Sequence, residues 1–141
     1  MRRLTAAACL ISVVLVGAAP AGLSPDLRER FAAGLAAHKA GDWATAGREF
    51  ADPAWAGTPL EDYALLFQAE SQLRLGDVVA ARALATQAAD RTPESLTPFA
   101  LVRAAAVRRE AGDPAGAVTV LQRVLVRLAD APDAGRVRYA L

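Results

Sequence analysis

Apolar and small residues recur along this chain at helical offsets, and polar punctuation interrupts them at a regular interval. Leu65, Leu66, Ala69 and Leu73 share one helical face, as do Ala100, Leu101, Ala104 and Ala105. Val118, Leu121, Leu125 and Leu128 repeat the pattern further on. Positions i, i+3, i+4 and i+7 lie together on an α-helix. The pattern predicts helices over 25–40, 42–51, 59–75, 77–91, 98–111 and 113–129.

Two marks separate these helices. Gly41-Asp42, Gly76-Asp77 and Gly112-Asp113 each precede an alanine, at Ala46, Ala81 and Ala117. The glycine suits the left-handed position that ends one helix, and the aspartate caps the next. Ser24-Pro25, Thr58-Pro59 and Thr97-Pro98 open the other helices with a hydroxyl cap and a proline that needs no donor. Glu61, three residues after Thr58, completes a capping-box pattern. The expected result is three antiparallel helix hairpins. The turn glycines are spaced by 35 and 36 residues, a period that signals stacked helical repeats without a single globular core.

Composition points to tight packing. Of 141 residues 35 are alanine, and aromatics make up 6%. Alanine favours helix and permits close helix approach. The chain is therefore expected to be all-α, an α-solenoid. Net charge is +1, with no basic stripe of the kind that binds nucleic acid. Arg103, Arg108, Arg109, Arg123 and Arg127 alternate with Glu110, Asp113 and Asp130 late in the chain, which reads as a solvated face of mixed charge. Arg136 and Arg138 continue it beside Asp133.

Residues 1–21 read as a secretory signal peptide: Arg2-Arg3, an apolar run from Leu4 to Val16, then Ala19-Pro20-Ala21 before Gly22. An uncleaved anchor is the alternative, but Leu4 to Ala19 is 16 residues, short of the roughly 20 that span a bilayer. The chain is thus expected to cross the inner membrane into the periplasm, touching the membrane only if the leader is kept. Cys9, the sole cysteine, lies within the leader. Residues 22–131 then carry the hairpins with no thiol for a disulfide or a metal.

The repeat resembles the tetratricopeptide family. The first unit matches that pattern with Gly34, Gly41, Ala46 and Phe50, the second with Ala69, Gly76, Ala81, Ala88 and Pro93, and the third with Ala105, Gly112, Ala117 and Leu121. Pro53 shortens the first unit's second helix and leaves Asp52 to Gly57 as a loop, and Ala85 stands where a large apolar residue is usual. A narrower likeness lies in Pro59-Leu60-Glu61-Asp62-Tyr63-Ala64-Leu65-Leu66, followed by Ala69-Glu70 and Leu75-Gly76-Asp77. This run is similar to the N-terminal helical region of soluble periplasmic lytic transglycosylases. That resemblance implies a non-catalytic scaffold which shapes access of peptidoglycan to a separate lysozyme-like domain. The alternative is a free-standing periplasmic adaptor that binds protein partners in envelope assembly.

Catalytic chemistry is not legible. Those enzymes carry a catalytic Glu-Ser followed by Gly-Leu-Met-Gln, and neither Glu70-Ser71 nor Glu94-Ser95 is followed by such a segment. Each glutamate reads as a solvated carboxylate. His38, the only histidine, reads as a surface residue near a helix C-terminus, where positive charge suits the dipole. No cofactor or metal is expected, and the chain is not expected to be an enzyme.

Binding is the better expectation. The resemblance implies that the first helix of each pair lines a concave face. Counting from the turn glycines places Arg28, Phe31, Leu35 and His38 there, then Tyr63, Leu66, Glu70 and Leu73, then Phe99, Val102 and Arg109. Phe31, Leu35, Tyr63, Leu66, Phe99 and Arg109 are the candidate contacts for a protein or a glycan strand. Core packing between hairpins is the competing reading for the aromatics. Lysine and asparagine, which grip C-terminal carboxylates in one subclass, are replaced here by Phe31 and Leu35. Pro132-Asp133 marks the start of a further hairpin over 132–141, with its turn glycine expected near position 147.

Overall fold

The Gly-Asp turns set the architecture. The structure, a computed structural model, describes residues 22–91 and 94–130. The six α-helices among them are α1 (Pro25–Ala40), α2 (Trp43–Phe50), α3 (Glu61–Leu75), α4 (Val78–Asp90), α5 (Pro98–Glu110) and α6 (Pro114–Ala129), with no strand among the described residues. Gly41, Gly76 and Gly112 take φ of 77°, 90° and 79°. In each turn the aspartate N–H bonds back to the carbonyl five residues earlier: Asp42 to Ala37, Asp77 to Gln72 and Asp113 to Arg108, at 2.8–3.0 Å. The glycine N–H reaches the carbonyl three residues back. These paired bonds close a helix with a left-handed residue. The same aspartates then accept from Thr45, Ala80 and Gly116 N–H at the start of the next helix. One dipeptide thus ends one helix and begins another.

These bonds leave a mark on acidity. Hydrogen bonds from Thr45 hold the Asp42 carboxyl below its ordinary value of 3.8. The Gly116 N–H, then Arg108, do the same for Asp113.

Ser24 and Thr97 cap α1 and α5 through Leu27 and Ala100 N–H, each followed by proline. Thr58 departs from expectation. Its hydroxyl donates to the Trp55 carbonyl at 2.7 Å, and α3 begins at Glu61, with Leu60 in the cap position and no side-chain cap. Glu61 instead accepts the Gly57 N–H. The reason lies in the segment expected to be a plain loop. Pro53–Trp55 forms a 3₁₀ turn that buries Trp55, whose indole N–H donates to the Glu49 carbonyl at 2.9 Å. Thr58 is recruited to close that turn.

Small residues let the helices meet. Gly34, Ala69 and Ala105 sit seven residues before their turn glycines, Ala46, Ala81 and Ala117 five after, and all six are buried. At Gly34 the fit is close, since a Cβ there would lie 2.8 Å from Phe50 Cζ. Each helix packs on its chain neighbour, and α3 also touches α1 and α5. The apolar interior is divided into three clusters, and α3 contributes to each of them, through Phe67, Leu66 and Ala69.

Candidate functional site

Where α1, α3 and α5 lie side by side, charged groups from the three helices meet. Glu70 on α3 takes Arg103 of α5 on both carboxylate oxygens, with Nε to Oε1 at 2.7 Å and Nη2 on Oε2. His38, in the last turn of α1, brings Nε2 to 2.8 Å from Glu70 Oε2. That contact has the distance of an ion pair without the alignment of a hydrogen bond, and no other atom aligns with the buried Nε2. Aromatic rings hold the set in place. The His38 ring meets Trp43 and Phe67 edge-on at 5.0 and 5.2 Å, and the Arg103 guanidinium lies 4.8 Å above Phe67. A cation over an aromatic face is favourable, more so as water is excluded.

Spacing from the turn glycines accounts for the convergence. His38 and Leu73 each stand three residues before a turn glycine, and Glu70 and Ala106 six before. These four residues line a shallow groove of about 210 Å³, with Trp43 as one wall and Val107 beside Ala106. Arg74 and Glu110 complete the rim, both exposed and neither paired among the described residues. The groove therefore offers an apolar floor, an indole, and free groups of both signs.

The readings of His38 and Glu70 as solvated surface residues are corrected here. Their side chains keep only 15% and 14% of their exposure, because α1, α3 and α5 close on them. Glu94, by contrast, is largely exposed. Glu70 and Ser71 serve different places, since Ser71 is fully buried and its hydroxyl donates to the Phe67 carbonyl at 2.8 Å.

The late arginines are also more engaged than a solvated face. Arg108 pairs with Asp113, Arg123 with Asp90, and Arg127 donates to the Leu96 carbonyl. Arg136 and Arg138 lie outside the described residues, as does residue 92–93 of the preceding loop.

None of the six candidate contacts lines the groove. Phe31 meets Phe50, Trp55 and Phe67 edge-on at 5.4–6.1 Å inside the first cluster, and Leu35 packs on the same cluster. Tyr63 bridges two clusters, its hydroxyl accepting the Thr97 N–H at 3.2 Å. Leu66 is fully buried, so it presents no surface to a ligand. Phe99 and Arg109 are exposed and apart from the groove. Of the residues counted onto that face, His38, Glu70 and Leu73 line this groove, and Trp43, Arg74, Arg103 and Glu110 line it without having been counted there. The available signal was charge: a glutamate in one unit flanked by histidine and arginine at neighbouring register positions of the adjoining units.

Among the described residues, no three His, Cys, Asp or Glu side chains gather as a metal site, and no helix is long and apolar enough to cross a membrane. No family model, curated protein or solved structure matches the chain. Fold and site together define an all-α protein of sequentially packed helices with a shallow groove of mixed polarity.

Proposed function

We propose that this chain is a non-catalytic helical-repeat scaffold of the bacterial cell envelope, three tetratricopeptide-like hairpins stacked as a solenoid, with the His38–Trp43–Glu70–Arg103 groove as its binding surface. One observation carries this reading. The groove takes a polar group from each of three successive hairpins, His38, Glu70 and Arg103. A surface assembled across repeats suits an extended polymer. The likeness of Pro59–Leu66 to the helical region of periplasmic lytic transglycosylases, and the leader expected from the sequence of 1–21, which lies outside the described residues, support peptidoglycan as that polymer. An indole wall beside planar charged groups is chemistry for a sugar ring, whose apolar face stacks while its hydroxyls find acceptors and donors.

Retention of residues 22–141 on purified peptidoglycan tests the proposal. Trp43→Ala is expected to weaken retention about tenfold, the loss of one aromatic contact worth roughly 1.4 kcal/mol. Arg74→Ala with Glu110→Ala should weaken it further. Equal retention by folded parent and variants, or none by the parent, overturns the reading. A Phe31, Tyr63 and Phe99 triple alanine is no substitute, because Phe31 and Tyr63 hold the interior together.

A further inference from the structure

Helix α6 has one side without charge. Its exposed positions from Ala115 to Ala129 are all uncharged, and Val118, Leu121 and Leu125 among them keep 52%, 39% and 58% of their exposure. Spaced by four and three residues, these side chains form one apolar seam. Arg123 and Arg127 turn away from it and donate to the Ala89 and Leu96 carbonyls. On α5, Phe99 and Val102 widen the apolar surface, at 73% and 40% exposed. Leu121 and Leu125 stand 36 residues after Ala85 and Ala89, which are buried where α5 packs on α4. Leucine at these places holds a covering helix further off than alanine does, because the distance between helix axes follows the side chains at the contact. A leucine seam is matched by another of its own kind, and a second copy of the chain supplies one.

We propose that two copies of this chain associate through α6, packed antiparallel about a two-fold axis. An axis crossing the seam beside Leu121 sets Val118 of each copy opposite the partner's Leu125. Charge fixes the direction. Arg109, in the last turn of α5, and Asp130, just past α6, are exposed at opposite ends of the hairpin, and neither side chain is paired among the described residues. Arg109 follows Val102 by seven residues, two helical turns, and so shares its side of α5. Antiparallel packing brings Asp130 of each copy to the end where the partner presents Arg109, and symmetry makes that pair twice. Asp113 at the same end is already held by Arg108. The antiparallel arrangement also sets the positive N-terminal end of each α6 beside the negative C-terminal end of the other. Parallel packing would place Asp130 beside its own copy and align the two dipoles. The seam is separate from the groove, which Arg109, Leu121 and Asp130 do not line, so the proposal does not rest on the groove's ligand.

Exchange of the two charges tests the arrangement. Sedimentation velocity of the full chain over a concentration series should show a monomer–dimer equilibrium. Arg109→Asp alone and Asp130→Arg alone each set like charges together at both symmetry-related sites, and each should weaken association by about tenfold or more. The double variant carries the same charges exchanged, and its dissociation constant should return to within about threefold of the parent's, since the two changes are coupled across the contact. Leu121→Lys places a charge in the seam at an exposed position and should leave a monomer. Circular dichroism of each variant verifies that its helices are intact. A parent that stays monomeric at every concentration, single reversals that leave association unchanged, or losses that add in the double variant would each overturn the proposal. Peptidoglycan retention is read independently, so the groove can fail while the dimer stands, and the reverse.

Discussion

Glu70 and Arg103, 33 residues apart in sequence, are joined through both carboxylate oxygens across the boundary between the second and third hairpins. The pair is partly buried and lines the groove, with the Arg103 guanidinium over the Phe67 ring. A double-mutant cycle with Glu70→Gln and Arg103→Met should give a coupling of about 1–2 kcal/mol, the range of charge-assisted bonds reduced by partial exposure. Denaturant unfolding of the four proteins measures it. A coupling near zero would make the pair an incidental surface contact.

Two glycines should answer differently to alanine. At Gly34 the new methyl meets the Phe50 ring at 2.8 Å, so Gly34→Ala should destabilise by about 1–3 kcal/mol, the cost of overpacking. At Gly47, inside α2, it meets Ser71 Cβ of α3 at 3.4 Å, an ordinary contact. There the better helix propensity of alanine prevails, and stability should hold or rise by up to about 1 kcal/mol. Thermal unfolding of both variants distinguishes them, and equal losses would contradict the packing described.

Stability should fall in acid through the turn aspartates. Hydrogen bonds to Asp42 and Asp113, and the Ala54 N–H followed by Arg30 at Asp52, hold these carboxyls below 3.8. The unfolded chain therefore binds protons more readily than the folded one. The stabilisation is fully present above 3.8 and is lost as pH falls below it through the folded values. Asp42→Asn with Asp113→Asn keeps a capping acceptor without the titration, so its melting temperature should depend less on pH in this window. A slope equal to the parent's would contradict the assignment.

Local chemistry made most of the helices legible. Gly41, Gly76 and Gly112 needed only their own conformational freedom and an aspartate beside them, so each turn could be read from two residues. The start of α3 could not, because Thr58 was claimed by a Trp55 carbonyl that a 3₁₀ turn, anchored by the buried Trp55 side chain, placed within reach. The groove followed the same division. Periodicity put His38, Glu70 and Leu73 on one face, but it ranked Phe31 and Leu66 alongside them. Those two were drawn inward by Phe50, Trp55 and the third hairpin, contacts that no spacing within one repeat reveals.

The groove's role can be read directly by following His38 and Trp43 in a nuclear magnetic resonance titration of residues 22–141 with soluble peptidoglycan glycan strands. The His38 ring and Trp43 indole signals should shift together and saturate, with Arg74 and Glu110 moving alongside, and Trp43→Ala should move the midpoint of the His38 response to about tenfold more glycan. Absence of shifts at saturating glycan, or shifts confined to residues away from the groove such as Phe99, would contradict the proposed function.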